Sequence, residues 1–85
     1  MRSVSEVTKR IIIEIPHEYN IMIKECNEIF QSIAWAPPEK IKSSYYWNLL
    51  SMILNKHITM EDYQEKEWCK KVINIFQEPT SIREL

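Results

Sequence analysis

Two histidines, two cysteines and twelve Asp and Glu are the side chains of this 85-residue chain that could move protons, attack a substrate or hold a metal. His17 and His57 fall in different segments, and neither stands at a zinc-ligand spacing from Cys26 or Cys69, so no metal and no cofactor are expected. The cysteines form no CxxC pair and read as buried small hydrophobes of a reduced, cytoplasmic protein. Glu25 and Glu28 occupy the polar side of one helical pattern, and Glu61, Asp62, Glu65 and Glu67 crowd the start of another, as solvated faces do. Nothing in the spacing of Ser, His and Asp positions a triad. Glycine is absent, which removes the phosphate-cradling loops built on it and with them ATP, GTP and NAD chemistry. These residues predict a non-enzymatic protein.

Recognition is the remaining chemistry. Eleven Lys and Arg leave a net charge of −1, which argues against holding nucleic acid by bulk electrostatics. The charge is uneven, with +2 on residues 1–10 and on residues 37–57, −3 on residues 11–36 and −2 on residues 58–85. Arg10 could meet a guanine or a phosphate, or simply blunt a strand edge. Lys40 and Lys42 could flank a phosphate or stand solvated, and Ser43 and Ser44 serve as helix caps or as anion ligands. Tyr45, Tyr46 and Trp47 are successive, and helical neighbours point about 100° apart, so at least one should be exposed. Tyr45, Trp47 and Trp68 are therefore candidate anchors for a protein partner.

The elements that must position these groups follow from the hydrophobic pattern. The length suits one domain, and 45% hydrophobic with 27% charged residues predicts a folded chain. No apolar run exceeds four residues, too short for a membrane span. Residues 1–8 read as a flexible arm. Residues 9–15 are rich in β-branched side chains and closed by Pro16, which predicts a strand with Ile11, Ile13 and Ile15 on one face and Arg10, Ile12 and Glu14 on the other. Apolar residues at steps of three and four predict a helix over 17–33, a second beginning near Pro37 or at Ser43 or Ser44 and ending at Asn55, and a third over 60–77. Thr59 and Asp62 form a capping-box pair before the third, and residues 78–85 read as a tail.

A lone strand leaves its backbone donors and acceptors unsatisfied. Residues 32–36 and 56–59 are short candidate mates within the chain; an antiparallel copy of the same strand in a second chain is preferred. Strand, proline, helix, loop and helix over residues 9–55, with KRIIIEIPHEYNIMIKECNEIF followed by SSYYWNLLSMIL, resemble the ribbon-helix-helix DNA-binding proteins of the Arc and MetJ kind. The resemblance implies an intertwined homodimer, mainly α, with Ile11, Ile13 and Ile15 in the dimer interface and a two-stranded ribbon in the major groove. Lys9, Arg10, Ile12 and Glu14 would then face DNA, with Lys40, Lys42, Ser43 and Ser44 near phosphates. The function expected on this basis is a transcriptional regulator or antitoxin, with an extra C-terminal helix. The alternative is a small protein-binding module or inhibitor, acting through exposed aromatics and the acidic third helix.

Overall fold

The computed structural model describes residues 3–78, and among them there are five α-helices and no strand. The first, α1 (Val4–Glu14), occupies the segment expected as arm and strand. The Ser3 hydroxyl accepts the Glu6 N–H at 3.1 Å and caps it. Val4, Val7, Thr8 and Ile11 are buried at helical spacing, and Ile15 extends the same stripe just past the last turn. Thr8 satisfies its buried hydroxyl by donating to the Val4 carbonyl at 2.7 Å. Ile15 is extended, as a residue before proline prefers, and the helix stops there.

The ribbon is thereby overturned, and with it the strand face and the intertwined dimer built upon it. The residues that resemble ribbon-helix-helix proteins form helix where that family has strand. Two physical terms explain the difference. A helix satisfies its backbone bonds within its own segment, so the mate that a strand would have needed is not required. The helical penalty of an isoleucine is under about 0.7 kcal/mol, whereas burying one contributes roughly 1.5 to 3 kcal/mol. A 200° rotation between residues two apart on a helix separates Ile11 from Ile13. Ile11 and Ile15 lie in the core of their own chain, and Ile13 is 73% exposed.

The other helices lie close to expectation, with shifted ends. Helix α2 (Asn20–Trp35) buries Met22, Cys26 and Ile29. A 3₁₀ turn, Pro38–Lys40, leads into α3 (Ser43–His57), which buries Leu50 and Leu54. Lys42, rather than Ser43 or Ser44, is the N-cap of α3, and no side chain caps it. The helix expected over 60–77 is two helices, α4 (Met60–Glu65) and α5 (Glu67–Gln77), hinged at an extended Lys66. The Thr59 capping box is present: its hydroxyl accepts the Asp62 N–H at 3.0 Å, and the Asp62 carboxylate accepts the Thr59 N–H at 3.2 Å. Lys66 holds the hinge by donating to the Tyr19 hydroxyl at 2.9 Å, while the Tyr19 and Trp68 rings pack at a tilt with centroids 4.8 Å apart.

Helix α1 is the hub, packed against α2, α3 and α5. The domain measures 40 × 35 × 18 Å, so its thin dimension holds about two helix layers at the usual spacing of roughly 8 to 10 Å. Among the described residues none has positive φ: the helices leave through extended residues such as Ile15, Ala36 and Ile58, so the chain's lack of glycine costs it nothing here. Arg2 and Met1 of the expected arm, and the expected tail from residue 79 onward, lie outside the described residues.

Replacing Ile11 by Ala should cost about 2 to 5 kcal/mol in urea unfolding, and Ile13→Ala less than about 0.5 kcal/mol. Equal losses at the two positions would instead indicate the shared strand face.

Candidate protein-binding face

The side chains expected at DNA are distributed over α1, the 3₁₀ turn and the start of α3. Lys9 and Arg10 are exposed on α1, where the Arg10 guanidinium pairs with Glu78 at 2.7 Å. Ile12 and Glu14 are half-buried on the same helix. Lys40 ends the 3₁₀ turn, and Lys42, Ser43 and Ser44 are exposed around the start of α3. Of the three aromatic anchors, Trp47 is half-buried with its ring edge-on to Phe76 at 5.7 Å, and Trp68 is half-buried against Tyr19. Tyr45 is exposed, with its ring edge-on to Tyr46 at 5.2 Å.

A grooved surface assembles along α2 and α3. The loop over residues 36–42 joins one pair of their ends, and Glu25 meets Lys56 and His57 at the other, so the two helices run antiparallel. Between them is a groove of about 390 Å³, lined by Ile29 from α2 and by Leu49, Met52 and Ile53 from α3. Glu25, Glu28 and Ser32 border it from α2, and Lys56 closes its far end. Residues 43–55 contain no Asp, Glu, Lys, Arg or His, although α3 turns a side to solvent along this length. That side carries Tyr45 at 57% exposure and Met52 at 65%. Trp35, the last residue of α2, is 84% exposed at the loop end of the pair.

The far end is fixed electrostatically. Both Glu25 carboxylate oxygens are engaged, Oε2 by Lys56 Nζ at 2.6 Å and Oε1 by His57 Nε2 at 2.7 Å. These hydrogen bonds, Lys56 first and His57 second, hold the Glu25 carboxyl below its ordinary range. On the opposite flank, the hydrogen bond to Tyr19 and the pairing with Asp62 hold Lys66 more firmly protonated than usual. Asp62 is lowered chiefly by the backbone N–H of Thr59. Burial pushes the Cys26 thiol up to about 11 and raises Cys69, so both stay protonated and unreactive at neutral pH. Among the described residues no three His, Cys, Asp or Glu side chains gather as a metal site, and no helix is long and apolar enough to cross a membrane.

Met52, Trp35 and the groove floor are absent from the residues that the sequence singles out as sites. Their signal is the charge-free run of residues 43–55, since a helix on a protein surface ordinarily alternates charged and apolar sides. Compared with models of known families, with curated proteins and with solved structures, the chain matches none of them.

Because the folded Glu25 carboxyl titrates below its ordinary value near 4.5, the stability its pairs contribute is complete above that pH and is lost as pH falls through the lower folded value. Glu25→Gln should therefore be less stable than the parent at neutral pH by about 1 kcal/mol or less. The gap should close between about pH 5 and 3 in urea titrations. A gap independent of pH would remove Glu25 from this role.

Proposed function

We propose that this chain is a small, non-enzymatic helical module that works by binding another protein across the α2–α3 face. The observation that carries the reading is the exposed side of α3, uncharged from Ser43 to Asn55 and bearing Tyr45 and Met52. Water-exposed surface tolerates charge at little cost, whereas the centre of a protein interface is depleted of it and enriched in aromatics and Met. Trp35 adds a large ring at one end, of the kind that fills partner pockets. Leu49, Ile53 and Ile29 beneath them give the groove an apolar floor. The antiparallel pair is held at one end by the Glu25 fork and at the other by a seven-residue loop, so the face is largely formed before binding.

Two features of the alternative read from sequence change in this account. Tyr45 keeps its place as an anchor, while Trp47 and Trp68 have ring partners within the chain and support the fold. The acidic segment after Thr59 is a short α4 followed by α5, and it contributes to the core through Cys69 and Val72. The regulator implied by the ribbon-helix-helix resemblance lacks the ribbon that would read bases, so the protein-binding reading is preferred.

A photo-crosslinking amino acid placed at Tyr45 in the source cell should give one discrete protein adduct, and Met52→Lys should reduce its yield about tenfold, the equivalent of roughly 1.4 kcal/mol of affinity. Only a diffuse smear, matching that from the same probe at exposed Lys9, would sink the reading.

A further inference from the structure

We infer that the partner on this face presents an amphipathic helix, laid into the α2–α3 groove with a lysine or arginine on its flank meeting Glu28. The inference rests on the protein-binding reading above and names the form and charge of its partner. Protein segments are recognised in a small number of backbone forms. A strand adds to the edge of a sheet, and there is no strand among the described residues to receive one. A polyproline segment docks between aromatic rings, whereas the described residues that line this groove, with Ile29, Leu49, Met52 and Ile53 on its floor, include no aromatic. An extended backbone laid there would withdraw its N–H and C=O groups from water and find Ser32 as the one uncharged polar side chain on the rim. A helix closes those bonds within itself and offers the groove side chains alone. Leu49 to Lys56 covers about two turns of α3, a length that helical side chains at i, i+3 or i+4, and i+7 match.

The charge of the partner follows from what the groove leaves unpaired. Among the described residues, Glu25, Glu28 and Lys56 are the charged side chains that line it. Glu25 and Lys56 are joined at 2.6 Å, and His57 takes the other Glu25 oxygen, so that end is occupied by pairs made within the chain. Glu28 is exposed one turn further along α2 and has no ion pair among the described residues. Lys24, one turn before Glu28, stands outside the groove lining and is not paired with it. The facing wall of α3 carries no charge from Ser43 to Asn55. The uncompensated charge of the groove is therefore a single carboxylate set against an apolar wall. An acidic partner would be repelled there, and a wholly apolar one would strip water from Glu28 with nothing in exchange. A lysine or arginine meets the carboxylate with its head while its stem lies along the apolar floor. Lys56, one turn past Met52, repels that base from the His57 end and directs it toward Glu28 and Ser32.

The test titrates the full, isotope-labelled chain with three synthetic peptides of about 15 residues. One is an amphipathic leucine and lysine helix, the second has every lysine replaced by glutamate, and the third is the lysine peptide interrupted by a central proline. Backbone amide shifts should place the first at Ile29, Leu49 and Ile53, and the other two should bind at least about tenfold more weakly. Glu28→Lys should reverse the order of the lysine and glutamate peptides with an unchanged far-UV helical spectrum, since Glu28 is exposed. Glu65→Lys, the same change of net charge placed on α4, should leave the order as it is. Equal binding of the two charge types, equal binding of the proline peptide, or an order that survives Glu28→Lys or is reversed as readily by Glu65→Lys overturns the inference. A Tyr45 photo-adduct joining two copies of this chain through their α3 helices puts an uncharged helix opposite Glu28 and overturns it as well. The same probe separates the two levels. A discrete adduct to another protein from a chain that binds none of the peptides removes the helix and leaves the protein-binding reading standing; the absence of any discrete adduct removes both, whatever the peptides do.

Discussion

The architecture depends on one stripe, Val4, Val7, Ile11 and Ile15, buried on the side of α1 that faces α2, α3 and α5. Each of these side chains contributes on the order of 1.5 to 3 kcal/mol by leaving water, and together they compare with the whole net stability of a small domain. The stripe exists only if residues 4–15 share a helical phase. Its backbone bonds close within α1, so the hub helix can sit in the middle of the fold without borrowing a partner for its peptide groups.

From that hub the position of the α2–α3 face follows. Met22, Cys26 and Ile29 turn one side of α2 inward, and Leu50 and Leu54 do the same for α3, which sends Met52 outward by geometry alone. The pair is then locked by Glu25 reaching Lys56 and His57 at one end. Lys66 plays the corresponding part for the C-terminal helices, binding the α4–α5 hinge to Tyr19 ahead of α2. These polar bonds set the angles between helices, while the apolar stripes provide the cohesion. In a domain about two helix layers thick, no further layer among the described residues covers the outward side of α3.

Helix positions were readable wherever the apolar spacing was long and unambiguous. Met22, Cys26 and Ile29 announce α2, Leu50 and Leu54 announce α3, and the Thr59 and Asp62 pair announces the start of α4. Boundaries moved by a few residues, since proline and serine near a helix start suit several registers. The break at Lys66 was not legible: a lysine carries no breaking tendency, and the group that holds it, the Tyr19 hydroxyl, lies 47 positions away in the chain. Of the candidate anchors, Tyr45 was legible from its run of aromatics. Trp47 and Trp68 were not separable from it, because each depends on a ring from a distant helix.

Residues 9–15 mark the boundary between the two kinds of information. Read alone, Ile11, Ile12, Ile13 and Ile15 satisfy a period of two as well as one of 3.6, and β-branched side chains tilt a local reading toward strand. Composition and spacing by themselves determined that this segment is apolar, that it stops at Pro16, and that helical stretches follow it. Only packing decided between the periods: Val4 and Val7, upstream of the run, join Ile11 and Ile15 on one side of a helix facing three others, and no strand could bury all four together. Local preference is worth tenths of a kcal/mol per residue and burial is worth several times that, so the tertiary core chose the conformation.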